Sequence, residues 1–213
     1  MARAVTVRGL LGVLLWLLLA ASGPLAHAQP ASAETADGPQ LRIAVGPSYL
    51  AALQSLGPGQ DGSIEGFGVG FDFALAAPLS TELALGADLV LLRSGSAEHG
   101  VLDSTVFTAL HLGAGLTYWF LPGQSFLSGS LGLARSSVEG DRLRLGVELP
   151  DNDPSDVGVG AHLCLGHQLR LGERVGLGAS LSLLGSFANN PIGAQDGLRT
   201  VLAVTLAVTA TLR

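Results

Sequence analysis

Val106-Phe107-Thr108-Ala109-Leu110-His111-Leu112-Gly113-Ala114-Gly115-Leu116-Thr117-Tyr118-Trp119-Phe120 alternates in character residue by residue, then runs into Leu121-Pro122-Gly123-Gln124. Every second residue from Val106 gives Val, Thr, Leu, Leu, Ala, Leu, Tyr and Phe; the other set is Phe, Ala, His, Gly, Gly, Thr and Trp. Successive side chains of a strand point to opposite faces, so this stretch is a strand with one face in an apolar medium. Aromatic residues just before a tight Pro-Gly turn suit a membrane-water interface. The stretch reads as one stave of a small transmembrane β-barrel.

Composition agrees. Only 13% of the 213 residues are charged and 48% are hydrophobic, whereas soluble domains carry about a quarter charged residues. Arg3 and Arg8 precede an apolar run at 10–21 and the small-x-small pattern Ala26-His27-Ala28, the signature of a cleavable signal peptide. Residues 1–28 are therefore expected to be a signal peptide, 29–39 a flexible periplasmic leader, and 40–213 the barrel. No cysteine follows the apolar run, so no lipoprotein anchor is indicated, and Cys164, the only cysteine, reads as a small core residue without a disulfide. No later stretch has the length and apolarity of a spanning helix. The net charge of −6, about −8 once Arg3 and Arg8 are removed, argues against nucleic acid as a partner.

Alternation places eight strands at 41–50, 64–76, 82–93, 106–120, 125–135, 156–171, 174–187 and 198–213. Connections after the second, fourth and sixth are short; those after the first, third, fifth and seventh are longer and polar. Outer-membrane barrels show that alternation of short periplasmic turns with long external loops. Both termini then lie on the periplasmic side. An even number of antiparallel strands closes an up-and-down barrel without a free edge, as a bilayer requires. Within the 136–155 connection, residues 142–149 alternate again, which suggests that the flanking strands continue above the membrane.

On the apolar faces, Tyr49, Phe67 and Phe187 fall near external strand ends, and Phe71, Phe73, Tyr118 and Phe120 near periplasmic ends, as two aromatic girdles would. The opposite faces are rich in Gly, Ala and Ser with scattered charge. A soluble periplasmic ligand-binding barrel of lipocalin type would need a richly charged exterior, and neither face supplies one. The polar face then turns Arg42, Asp72, Asp88, His111, His162, Gln168, Arg170 and Arg199 into the lumen. Charges in so narrow a barrel must be paired: Arg42 with Asp72, and Asp88 with His111, are the expected partners on neighbouring strands.

The layout over residues 41–213 resembles the small outer-membrane barrels of the OmpA transmembrane domain, OmpX and OmpW kind. That resemblance implies an outer-membrane location, contact with outer-membrane lipid, and insertion by the barrel-assembly machinery. The family's assembly signal ends Gly-x-x-aromatic-x-aromatic, whereas this chain ends Thr211-Leu212-Arg213. A similar pattern, Gly115-Leu116-Thr117-Tyr118-Trp119-Phe120, stands internally.

Catalytic motifs are weak. Barrels of this size include lipid A deacylases and acyltransferases, which need a His and a Ser on the lipid-facing surface near the outer leaflet with an acid to orient the His. His111 and His162 point inward, and His167 lies toward the periplasm. Asp151-Asn152-Asp153-Pro154-Ser155-Asp156 lacks the glycine and closing glutamate of a calcium loop and reads as solvated loop. His99 stands in a loop without a partner. No nucleotide, cofactor or metal motif is found. Two classes of function remain: a non-catalytic surface barrel presenting loops 56–63, 94–104, 136–155 and 188–197 to a protein or surface ligand, and a small-solute channel with a wet lumen.

Overall fold

A computed structural model describes residues 38–55, 61–95, 105–120, 124–140, 153–172, 174–192 and 195–213. The expected signal peptide, nearly all of the leader, His99 and the alternating 142–149 segment lie outside the described residues.

The described chain is all antiparallel strand: β1 (Gln40–Ser55), β2 (Asp61–Pro78), β3 (Leu83–Ser94), β4 (Thr105–Phe120), β5 (Ser125–Gly140), a two-residue β6 (Asp153–Pro154), β7 (Gly158–Arg170), β8 (Val175–Ile192) and β9 (Gln195–Leu212). Each long strand pairs with its sequence neighbours, and β1 pairs with β9, so eight strands close an up-and-down barrel. β6 is a flap on β5 at the long-loop end of the barrel, the end expected to be external, through Ser137–Pro154 and Val138–Asp153.

The stagger can be followed residue by residue. From Ile43 the paired row runs through Phe73, Leu89, Leu112, Leu133, Val159, Phe187 and Thr200, and returns to β1 at Leu53, ten residues above its start. A stagger of that size over eight strands tilts them about 40° from the axis. The wall is therefore narrow enough for inward side chains to fill.

Burial alternates as the residue pattern requires. On β4, Phe107, Ala109, His111, Gly113, Thr117 and Trp119 are buried, while Leu110, Leu112, Ala114, Leu116 and Tyr118 are exposed. Exposed Leu, Val and Phe recur on every long strand, from Ile43 and Phe67 to Leu206 and Val208. So much exposed apolar surface, carried by every long strand, does not suit a wall facing water; it forms a belt suited to lipid. From Tyr118 up to Leu110, tilted at about 40°, it spans about 20 Å.

The strands outrun the sequence pattern at one end. β1 continues to Ser55, β5 to Gly140 and β8 to Ile192; on β5 and β8 the outward residues there include Arg135, Ser137 and Asn189, so alternation in hydrophobicity fades while pairing goes on. Among the opposite turns, the β2–β3 link closes with Leu79 N on Leu83 O at 2.7 Å, and the β7–β8 link with Leu171 N on Val175 O at 2.8 Å. Gly172 in the latter has φ 117°, a conformation that only glycine adopts without strain.

Candidate functional site

The candidate site is the lumen, and it has three layers. Toward the external end, Leu50, Ala52, Val90, Leu92, Phe107, Ala109, Leu184, Val201 and Ala203 form one buried cluster, with Val138 packed against it. Parity alone made the inner wall look small and polar. In this layer, Leu and Phe side chains from opposite strands instead meet across the axis and pack like the core of a soluble protein. Arg199 is wholly buried on the same wall, and its Nη1 donates to Ser136 Oγ at 3.4 Å.

The middle layer is a belt of charge. Arg42 Nη2 lies 3.3 Å from Asp72 Oδ2 and 3.4 Å from Ser128 Oγ, with the guanidinium carbon 4.6 Å above the Phe126 ring. Asp88 Oδ2 accepts from Ser130 Oγ at 2.7 Å and from His162 Nδ1 at 2.7 Å. His111 Nε2 is 3.2 Å from Ser130 Oγ and 3.6 Å from Asp88 Oδ1. Since Ser130 gives its proton to Asp88, His111 Nε2 is the donor to Ser130. The neighbouring-strand pairing of Asp88 with His111 is thus the looser contact. The shorter one comes from His162 on β7, across the barrel from β3. Ser130 on β5 bridges Asp88 and His111.

Two glycines make room for this arrangement. A Cβ on Gly113 would stand 2.5 Å from His111 Nε2 and 2.8 Å from Asp88 Oδ1, and one on Gly160 would stand 2.7 Å from His111 Nδ1. Either side chain would displace the histidine. Flanking the belt are two small cavities, of about 10 Å³ beside Asp72 and about 20 Å³ beside Asp88, each about the space of one water.

The third layer closes the mouth at the short-turn end, the end expected to be periplasmic. Trp119 and Phe126 pack at 5.1 Å with Cys164 beside them, and the Arg213 guanidinium carbon lies 4.4 Å over the Trp119 ring. Burial, then the nearby Arg170 charge, pulls the Arg213 pKa down to about 10, so it remains a cation at neutral pH. Gln168 is buried beside Gly176, and Arg170 is half-buried at the mouth.

Outside, Tyr49 and Phe67 pack at 5.1 Å on paired strands, and the Tyr49 hydroxyl donates to Glu65 at 2.7 Å. Phe187 is exposed near the same end. At the other end, Tyr118 and Phe120 stack at 6.3 Å, with the Tyr118 hydroxyl on Glu82 at 3.3 Å. Phe71 and Phe73 are exposed, but opposite Val45, Leu91, Ile43 and Leu89, deeper in the apolar belt than a girdle position. The tilt causes this: residues level along hydrogen bonds are not level along the barrel axis.

The closest thing to a nucleophile pair is Ser125 Oγ with His167 Nδ1 at 2.8 Å. It lies at the periplasmic end of β5 and β7, and among the described residues the ring makes no hydrogen bond to a carboxylate.

Neither a family model nor a curated protein sequence matches the chain. Solved structures do match in fold. The crystal structure of Neisserial surface protein A (NspA) aligns with a TM-score of 0.53 at 18% identity, covering 82% of this chain and 98% of that one. Outer membrane protein OprG from Pseudomonas aeruginosa aligns with a TM-score of 0.50 at 12% identity, covering 84% and 98%. At such identity the likeness is one of fold.

Proposed function

We propose that this chain, which has the fold of the small outer-membrane β-barrels, is a non-catalytic and non-conducting outer-membrane protein that offers its external loops to a partner. The observation that carries the reading is the apolar plug. Leu50, Leu92, Phe107 and Val201 are each at most 1% exposed, so a solute path would have to pass through packed hydrocarbon. Beneath the plug, Arg42 and Asp72 neutralise one another and Asp88 is held by Ser130 and His162, leaving cavities of about one water each rather than a pore. The mouth is closed again by Trp119 and Arg213.

The exterior supports the address. The apolar belt fits lipid, and Arg93 and Arg135 are exposed on the outward face at its external margin, opposite Thr108 and Leu110 of β4, where outer-leaflet phosphates would lie. Strands that run past the belt carry the loops clear of the membrane, where a protein or surface ligand would meet them. Insertion by the barrel-assembly machinery belongs to the same reading.

Two measurements test it. Fractionation of expressing cells should give an outer-membrane band that shifts on boiling in SDS; a soluble periplasmic band would sink the membrane reading and return a lumenal ligand to consideration. Reconstituted in planar bilayers, the protein should give no discrete conductance steps, and regular steps would make it the small-solute channel instead.

A further inference from the structure

We propose that the middle layer of the lumen is a binding site for a divalent transition-metal ion of the zinc class, held by one carboxylate oxygen each of Asp72 and Asp88 and one ring nitrogen of His162. One ligand atom from each residue lies within 4.8 Å of the other two. Zinc bonds to oxygen and nitrogen run about 2.0–2.2 Å in tetrahedral sites, so two ligands sharing an ion stand about 3.4 Å apart. Side-chain rotations that close the widest separation by up to about 1.4 Å would bring the three into coordination.

The second observation is what these groups lack. Asp72, Asp88 and His162 are 5%, 4% and 2% exposed. Yet Asp72 Oδ1, Asp88 Oδ1 and His162 Nε2 have no hydrogen-bond partner. Leaving buried carboxylate oxygens without a hydrogen bond is costly, and a cation at this point would satisfy both. Charge points the same way. The cluster has two carboxylates and one permanent cation, Arg42. With the histidines neutral, the form in which imidazole binds metal, the cluster is net negative, and that field favours a cation.

The surroundings resemble a second shell. Arg42 holds Asp72 by Oδ2 and Ser130 holds Asp88 by Oδ2, leaving each Oδ1 to the ion; such partners orient ligands and raise affinity. His111 Nε2, 3.6 Å from Asp88 Oδ1, would serve as a fourth ligand once its proton moves to Nδ1 and it gives up the hydrogen bond to Ser130. Two carboxylates with one or two imidazoles suit zinc, cobalt or manganese; calcium wants six or more oxygens.

The test uses the full chain, taken folded from membranes of expressing cells into detergent micelles and stripped with EDTA, with Co²⁺ as the probe. The ion is added both to the folded barrel and during refolding, because the apolar plug and the Trp119 layer stand between the belt and solvent. The expected result is one cobalt per chain with the strong visible absorption of a low-coordinate site. His162→Gln and Asp88→Asn should abolish that absorption, Ser130→Ala should weaken binding by roughly 10–100-fold, and His167→Gln should leave it unchanged. Absence of saturable binding under both regimes would overturn the proposal, as would binding that survives His162→Gln in a barrel that still shifts on boiling. If the cluster variants do not fold, X-ray absorption of the zinc-loaded wild-type protein decides. A shell of oxygens with one or two imidazoles supports the site, and a shell without imidazole removes it.

Discussion

The external and middle layers of the lumen are walled by the same strands, at the same narrow radius, and close it by opposite means. Above, Leu50, Leu92, Phe107 and Val201 pack as a hydrocarbon core. Below, Arg42, Asp72, Asp88, His111 and His162 are packed just as dry but interact through charge and hydrogen bonds. Each inward position on β3 shows the change: Leu92 and Val90 belong to the plug, and Asp88, one inward step lower, belongs to the belt. A plug of dispersion contacts loses stability roughly in proportion to the atoms removed. A desolvated charge network is different, because removing one member leaves the others buried and unpaired.

The largest effect that would expose this difference is Asp88→Ala. It removes the acceptor of both Ser130 and His162, and breaking a buried charged contact of this kind costs about 3–5 kcal/mol. The folded band in SDS should be lost at a distinctly lower temperature; an unchanged transition would mean that the belt carries no structural weight. Phe107→Ala, in the plug, should cost about 3 kcal/mol through the cavity it leaves. Its effect on transport should nevertheless be nil, because Leu50, Leu92 and Val201 still cross the axis. Conductance from the single variant would show that Phe107 alone is the seal.

These two layers also mark where the sequence was readable. Period-two alternation assigned the inward or outward side of residues from Arg42 to Arg199, because parity on a strand is strictly local. The closed eight-stranded barrel followed from parity together with loop length. Parity says nothing about which inward residues meet across the lumen. That depends on the ten-residue stagger from Ile43 to Leu53, which brings His162 of β7 to Asp88 of β3. The plug was hidden for the same reason, since its members are one or two apolar residues on each of β1, β3, β4, β8 and β9. Ser130 was unreadable too: one serine among many inward serines acquires a role only from Asp88 and His111 on either side.

A smaller effect sharpens the contrast within the belt. Ser130→Ala removes one donor to Asp88 and one acceptor for His111 while keeping both of those side chains. The expected cost is about 1–2 kcal/mol, that of leaving buried polar groups short of one bond. A loss as large as that of Asp88→Ala would make the serine, not the carboxylate, the centre of the network.

The smallest effect is expected from the most drastic change, which would turn part of the belt into plug. Arg42→Met with Asp72→Leu removes the buried pair together, so neither charge is stranded, and the two apolar side chains occupy space already walled by Phe126, Ala44 and the rings and methyls above. Buried ion pairs replaced in this way often leave stability unchanged or raise it, by about 1–4 kcal/mol, whereas Asp72→Ala alone strands Arg42 and should cost about 3–5 kcal/mol. A double variant that melts with the wild type while Asp72→Ala melts earlier would show that the pair is not needed for stability. If that variant also fails to bind cobalt, the carboxylates are kept for the ion they can hold. If instead it falls with the single variant, the pair sets the register of the barrel itself, and the comparison between the two layers collapses into one structural role.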